Sequence, residues 1–201
     1  MDAAATAFSD ELERWLREGG DKTLGALGSV FEERGFAVAI ILLMFLPALP
    51  VPTGGVTHVF EAITVLLAAQ MVLGRRTIWL PARWQRRELG ATTTEKAIPF
   101  IVRRIRQVER FSRPRAGWLF DQGVTMRLLG LVVIAFAVAA ALAPPFSGLD
   151  TLPALGAVVI ALSIILRDVV VLAAGILLGV AGVALLVTIG AALARLLRRL
   201  V

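Results

Sequence analysis

The polar residues best placed for chemistry lie in an apolar segment, just after a cluster of prolines and glycines. His58 and Glu61 are three residues apart, so on a helix they share one face. A carboxylate within an apolar segment usually faces protein or a water-filled path. The pair is therefore either a protonatable or ligand-contacting site at the start of a half-helix, or a surface pair that caps the helix after a turn.

Gln70 lies further along the same apolar segment and needs a hydrogen-bond partner there. It either bridges two helices or contacts a transported ligand, and it completes the candidate transport or ligand site with His58 and Glu61. The chain has one histidine and no cysteine, and it lacks a Gly-x-Ser-x-Gly elbow, a P-loop and a dinucleotide fingerprint. We therefore predict no catalytic residues, no metal site and no cofactor, and a protein that is not an enzyme.

The segments that carry these residues are apolar enough to enter a membrane. Hydrophobic residues make up 58% of the 201 residues, charged residues only 18%, and the mean hydropathy is +0.81. Long uncharged stretches of this kind exceed the buried strands and helices of soluble proteins. They occur at 36–57, 62–74, 128–149, 151–166 and 169–194. The composition predicts an all-α integral membrane protein, with residues 1–201 in a single membrane domain.

Prolines and glycines interrupt the apolar segments at two places. Pro50, Pro52 and Gly55 form the first group, and Pro145 and Gly148 belong to the second. At about 1.5 Å per residue, the helices beside them are shorter than a hydrocarbon core of about 30 Å. We expect each group to be the apex of a broken or re-entrant helical hairpin, with its freed backbone buried in protein. The alternative is an ordinary hairpin whose turn reaches the far surface.

The two hairpins align with each other when the sequence is shifted by 93 residues. Residues 34–75 then pair with 127–168 without a gap, and the shift matches Pro52 with Pro145 and Gly55 with Gly148. The same shift aligns the amphipathic helix near the start of the chain with a basic amphipathic helix that precedes the second hairpin. The pattern predicts an internal duplication.

Each predicted repeat consists of an amphipathic interfacial helix and a broken hairpin. Repeat 1 covers residues 8–75, and repeat 2 covers 95–168 with its hairpin at 127–168. A C-terminal transmembrane helix and basic tail follow at 169–201. In this last helix, the Gly-x-x-x-Gly spacing of Gly175 and Gly179 indicates close helix packing or a homodimer.

The charges of the chain predict its orientation. Residues 75–127 contain thirteen basic and four acidic residues, so the positive-inside bias places this segment in the cytoplasm. Because the basic segment lies between membrane segments, we expect it to contact membrane lipids and not nucleic acid. All four tryptophans lie next to charges outside the apolar runs, which is typical of the membrane–water boundary. The predicted lipid or partner surface consists of Arg103, Arg104, Arg106, Arg110, Arg113 and Arg115.

The string "LPALPVPTGGVTHVFEAITVLLAAQMVLGRRTIWLPARWQRREL" at 46–89 resembles the ExoD-type exopolysaccharide synthesis membrane proteins of bacteria. The matching marks are Pro50-x-Pro52-x-x-Gly55, Gln70 followed by Gly74, Trp79-Leu80-Pro81, "VERFSRPR" at 108–115 and Pro145-x-x-Gly148. The resemblance spans about residues 10–190. It implies a multi-pass protein of the bacterial inner membrane that is associated with exopolysaccharide production, and it provides no catalytic residues.

Two functions remain open from the sequence. The first is support of exopolysaccharide synthesis or export by transport of an ion, proton or lipid-linked intermediate through the re-entrant hairpins. The second is a non-transporting accessory subunit that docks or positions the polysaccharide synthesis machinery. In that second case the arginines of 103–115 would form the docking surface.

Overall fold

The computed structural model describes residues 8–18, 23, 32–49, 57–79, 99, 103, 106, 116–144 and 147–200. These residues form six α-helices and one 3₁₀ turn, and no β-strand occurs among them. The all-α prediction is confirmed for this part of the chain. The elements are α1 (Phe8–Arg17), α2 (Glu32–Phe45), α3 (Thr57–Val72), the 3₁₀ turn (Gly117–Leu119), α4 (Gly123–Ala141), α5 (Thr151–Leu166) and α6 (Val169–Leu200).

Helices α2 to α5 form a four-helix bundle in which each helix packs against two neighbours. The pairs α2–α3 and α4–α5 are antiparallel hairpins, and the bundle closes because α3 also packs along α4 and α5 along α2. Apolar side chains at four-residue spacing on α2 point into the core, as the helical repeat requires. Phe36, Ile40 and Met44 are fully buried there, together with Val133 of α4 and Ile160 of α5.

One end of the bundle, here called the base, is marked by Gly74, Arg127 and Arg167. Gly74 follows α3 with a left-handed φ of +76°, and the guanidinium of Arg127 lies over it. Arg167 follows α5 with the same left-handed geometry, at φ 54°, and donates a hydrogen bond of 2.9 Å to the carbonyl of Gly117. Helices α2 and α4 therefore begin at the base and α3 and α5 end there. The opposite end, which contains Pro47 and Pro144, is the apex.

Most of the predicted apex residues, Pro50, Pro52, Gly55 and Pro145, lie outside the described part of the chain. Gly148 is described, has a left-handed φ of +69° and is exposed beside Ser147. The expectation that the apex backbone is buried in protein is therefore wrong for these two residues. Their polar groups are satisfied locally instead, because the Ser147 hydroxyl donates to the Pro144 carbonyl at 2.7 Å and accepts the Leu149 N–H at 3.2 Å.

Helix α6 runs antiparallel to α5 and is held close by glycines. A Cβ atom built on Gly175 would lie 2.8 Å from the backbone nitrogen of Ile160, and one built on Gly182 would lie 2.6 Å from Pro153. A Cβ on Gly179 would overlap the ring of Phe136 from α4. The close helix packing that the glycine spacing indicated thus occurs within one chain, between α6 and the second hairpin. The homodimer remains a prediction.

Within the described part of the chain, two helices are long and apolar enough to cross a membrane: α4, with 19 residues, and the Val169–Ala192 part of α6, with 24. The other apolar helices, α2, α3 and α5, are shorter. Large apolar side chains also point away from the bundle, including Leu66, which is 66% exposed, and Leu177, which is 71% exposed. Apolar surface on several helices is what a lipid-facing exterior requires. These features indicate a membrane protein.

The tryptophans divide into two groups. Trp79 and Trp118 are exposed at the base, as expected for residues at a membrane–water boundary. Trp15 differs from the prediction, because it is only 8% exposed and belongs to the apolar core. The Trp15 ring packs within this core cluster, so α1 is covered by protein at this position. Trp84 lies outside the described residues.

Candidate functional site

His58 and Glu61 lie side by side on the first turns of α3, at the apex end of the bundle. The Nδ1 atom of His58 is 2.8 Å from Oε2 of Glu61. Glu61 is fully buried, whereas the His58 side chain is 40% exposed. The pair therefore connects the outside of the bundle to a carboxyl group in its interior, and the short distance permits direct proton transfer between the two groups.

The second oxygen of Glu61 is buried without a partner. Oε1 makes no hydrogen bond among the residues that the structure describes. Burial of an unpaired carboxylate oxygen is unfavourable, so such an atom in a native interior calls for a proton, an ion or a water molecule. The helix position alone predicted that His58 and Glu61 meet, but it did not indicate the unpaired atom.

Other polar side chains surround the apex ends of α3 and α5. Thr57 and Thr64 are buried on α3, and the Thr64 hydroxyl donates to the Phe60 carbonyl at 2.8 Å. Asp150, just before α5, lies close enough to Glu61 to interact with it electrostatically. At the start of α5, the buried Oγ1 of Thr151 also lacks a partner among the described residues. Because Asp150 and Glu61 carry the same charge, this region favours a proton or a cation over an anion.

Gln70 lies away from the His58–Glu61 pair. It is nine residues after Glu61, which corresponds to about 13 Å along the helix, and its amide binds the loop that follows α3. Its Oε1 accepts the backbone N–H of Trp79 at 2.7 Å, and its Nε2 donates to the Trp79 carbonyl at 3.4 Å. The structure thus brings two of the three candidate residues together and gives the third a structural role at the base.

Two of the six arginines in the predicted lipid or partner surface are described. Arg103 is exposed, and its Nε donates to the Pro99 carbonyl at 3.3 Å. Arg106 forms an ion pair of 2.8 Å with Glu13 of α1, and Arg17 reaches the other Glu13 oxygen at 3.2 Å. The hydrogen bond from Arg106 holds the pKa of Glu13 below its usual range. The remaining four, Arg104, Arg110, Arg113 and Arg115, lie outside the described residues.

A further polar feature lies at the base, where a cavity of about 170 Å³ opens between α3 and α4. Arg75, Arg76 and Arg127 line it, together with Asp121. This cavity could not be predicted from the sequence, because its arginines come from segments that are far apart in the chain. Among the described residues, the His, Asp and Glu side chains form no group of three that could hold a metal ion.

Comparisons with known proteins agree with the resemblance seen in the sequence. The sequence model of the family described as "Exopolysaccharide synthesis, ExoD" matches residues 8–188. The chain is 31% identical over 161 residues to Protein ExoD of Rhizobium meliloti, covering 78% of this chain and 65% of that protein. It is 24% identical over 151 residues to an uncharacterized protein of Synechocystis sp., covering 74% of this chain and 70% of that protein. No solved structure matches the chain.

Proposed function

The chain belongs to the ExoD family of exopolysaccharide synthesis proteins, and from this premise we propose that it supports exopolysaccharide synthesis or export by moving protons or cations through the apex region of its bundle. The observation that carries the proposal is the buried carboxyl group of Glu61: one oxygen lies against His58, and the other has no hydrogen-bond partner among the described residues. The proposed location is the bacterial inner membrane, with several crossings and with the segment 75–127 in the cytoplasm.

His58 and Glu61 have complementary roles in this proposal. The half-exposed imidazole takes up a proton from water that reaches the apex, and its Nδ1 passes that proton across 2.8 Å to Oε2 of Glu61. The transfer converts an imidazolium and a carboxylate into a neutral imidazole and a neutral carboxylic acid, so charge is conserved within the pair. Since an apolar interior tolerates the neutral form better, protonation of the pair favours a different packing of the apex from the charged form.

The register between α5 and α6 supports re-entrant hairpins. Pro153, in the first turn of α5, lies against Gly182 of α6. Counted from Val169 at the base, Gly182 is about 20 Å along α6, and the apolar part of this helix continues to Ala192. If α6 crosses a hydrocarbon core of about 30 Å, the start of α5 lies inside it and the hairpins do not reach the far surface. The local hydrogen bonds of Ser147 make an apex at that depth less unfavourable.

The way in which α3 and α5 end supports an internal duplication. The N–H of Arg75 donates to the Gln70 carbonyl at 3.1 Å, and the N–H of Asp168 donates to the Ser163 carbonyl at 3.2 Å. The two donors are 93 residues apart, as are the two acceptors and the two left-handed residues between them, Gly74 and Arg167. This recurrence at the spacing found in the sequence favours two copies of one hairpin that begin and end on the same side.

The test compares Glu61→Gln and His58→Ala with Val59→Ala, an exposed position on the same helix, in a strain whose native copy has been removed. We expect Glu61→Gln, which keeps the side-chain shape but cannot carry the proton, to reduce exopolysaccharide to the level of the deletion strain. The same variant should abolish proton transport into proteoliposomes, measured as acidification of their interior. His58→Ala should lower both signals, and Val59→Ala should leave them unchanged at equal membrane abundance.

Two results would decide against the proton or cation site. Wild-type proteoliposomes that move no protons, sodium or potassium would exclude the transport mechanism. A Glu61→Gln variant with normal exopolysaccharide yield would show that the buried carboxyl group is not needed, and would favour the accessory role. Reversal of the exposed Arg103 to Glu would then be the next variant, because an accessory subunit that docks through its arginines should lose function on that change.

A further inference from the structure

The cavity at the base is a second polar site, at the opposite end of the bundle from Glu61. Its wall is divided into a charged part and an apolar part. Arg75 and Arg76 follow α3, and Arg127 belongs to the first turns of α4. The apolar part of the wall consists of Phe36, Met71 and Met126, which are buried. A site of this composition suits a ligand with an anionic group and an adjoining apolar portion.

Among the residues that the structure describes, the acidic side chains do not neutralise the positive charge of the cavity. Asp121 is the acidic residue that lines it, and Asp121 already forms an ion pair with Arg167 outside the cavity. Among the described residues, Arg76 and Arg127 form no ion pair, and Arg75 lies 5.9 Å from the ring centroid of Trp79. Three arginines therefore line a volume of about 170 Å³, and no acidic side chain of the described residues forms an ion pair with them.

Arg127 is held in position by the shape of the backbone beneath it. A Cβ atom on Gly74 would lie 2.8 Å from Nη2 of Arg127 and 3.1 Å from its Nε, so glycine is the residue that lets the guanidinium lie there. Gly123, at the start of α4, also lines the cavity, and Gln122 before it makes no side-chain capping hydrogen bond. The first N–H groups of α4 have no backbone acceptor among the described residues, and they add a partial positive charge on the side of the cavity where Arg127 lies.

We propose that this cavity binds a phosphate group carried by a lipid at the membrane surface. The paired N–H groups of a guanidinium match the oxygens of phosphate. Several guanidinium groups together suit a doubly charged phosphate better than a singly charged carboxylate. The adjacent apolar wall and the exposed Trp79 at the same end place the group where a lipid headgroup lies. The site does not depend on the protonation of Glu61, so it can be tested independently of the proposed function.

The experiment uses the purified full chain in a non-ionic detergent and three probes: short-chain phosphatidic acid, short-chain phosphatidylcholine and inorganic pyrophosphate. Binding is measured by native mass spectrometry and by the rise in unfolding temperature. We expect phosphatidic acid to bind and phosphatidylcholine not to. The variant Arg127→Gln should weaken phosphatidic acid binding by about tenfold or more, since it removes a charge-assisted hydrogen-bonding group. Arg127→Lys keeps the positive charge but not the paired N–H donors. Its affinity for phosphatidic acid should lie between that of the wild type and that of Arg127→Gln.

The matched control is Arg195→Gln, which removes an exposed arginine of α6 at a distance from the cavity. It should bind phosphatidic acid as the wild type does. Pyrophosphate binding that is equally sensitive to Arg127→Gln would keep the phosphate site and identify its source as soluble. The proposal is overturned if Arg127→Gln binds every probe as tightly as the wild type, or if Arg195→Gln loses as much binding as Arg127→Gln.

Discussion

Glu13 and Arg106 are 93 residues apart in the chain, and their side chains are in contact, with Oε1 and Nη2 separated by 2.8 Å. The same interval relates the two hairpins in the sequence. When two copies of a unit are related by a two-fold rotation, equivalent positions touch each other only close to the rotation axis. Under the proposed duplication, Glu13 and Arg106 are equivalent positions, and their contact would lie near such an axis.

The first prediction concerns this ion pair. Arg106 lowers the pKa of Glu13 in the folded protein. The ion pair therefore stabilises the fold at pH values above the unfolded-state pKa of about 4.3, and this stabilisation is lost as the pH falls through the lowered pKa. We expect α1 to stay attached from pH 7 to pH 5 and to detach at a more acidic pH, once the pH falls through the lowered pKa of Glu13. The chain has no cysteine, so spin labels at Arg14→Cys and Val124→Cys report the distance without interference.

Charge exchange provides the control for that measurement. Glu13→Arg should broaden the distance distribution at pH 7, and the double variant Glu13→Arg with Arg106→Glu should restore it. An attachment of α1 that persists in Glu13→Arg would mean that the burial of Trp15 is sufficient and that the ion pair is incidental.

The second prediction concerns the contact between α6 and Phe136. Gly179→Ala places a methyl group where the Phe136 ring lies, so it should destabilise the protein by about 1–3 kcal/mol. Phe136→Leu should itself be destabilising but should relieve the clash, so that the two changes are not additive. Unfolding in mixed micelles measures both effects. Gly190→Ala is the control, since nothing lies within 4 Å of its added methyl group. An equal loss of stability in Gly190→Ala would mean that the change from glycine to alanine in the helix, and not the contact with Phe136, causes the destabilisation.

The third prediction concerns the amide of Gln70. Gln70→Ala removes both hydrogen bonds to the Trp79 backbone and should release the loop at a cost of about 1 kcal/mol. In a variant that keeps only Trp79 among the tryptophans, its emission should shift to the red and become more sensitive to iodide. Gln122→Ala removes a glutamine that makes no side-chain cap bond and should leave the emission unchanged. Unaltered Trp79 emission in Gln70→Ala would show that the loop is held by other contacts.

The fourth prediction distinguishes a re-entrant hairpin from an ordinary one. Cysteines are introduced singly at three exposed positions. Leu73 lies at the base of the bundle, Val59 lies near its apex, and Gly190 lies on α6 beyond the apex. A membrane-impermeant thiol reagent should label Leu73→Cys from the base side and Gly190→Cys from the far side. Val59→Cys should react from neither side. Labelling of Val59→Cys from the far side at the rate of Gly190→Cys would show that the turn reaches that surface.

Several features could be predicted from the sequence because they depend on local patterns. The uncharged stretches correspond to helices α2 to α6, and the glycines of α6 pack closely because small residues let helix backbones approach. His58 and Glu61 meet because a spacing of three residues places them on one helix face. Each of these inferences needs only one helix and its periodicity.

Other features could not be predicted because they depend on which helices become neighbours. Gln70 was expected to need a partner within the membrane, but its partner is the backbone of Trp79, which returns to it through the turn at Gly74. Trp15 has the sequence context of an interfacial anchor and is buried because its ring packs among the side chains of the core cluster. Arg127 reaches Gly74 across the contact between α3 and α4, which no periodicity in either helix reveals.

The crossed packing of the hairpins has a consequence for biosynthesis. Helix α2 packs along α5 and α3 along α4, so both helices of the first hairpin need partners from the second. At about 5–20 residues per second, a ribosome takes roughly 5–20 s to add 93 residues. During that interval the nascent first hairpin, with Glu61 on it, has no second hairpin to cover it. An insertase or a chaperone at the translocation site would have to shelter it until α4 and α5 emerge.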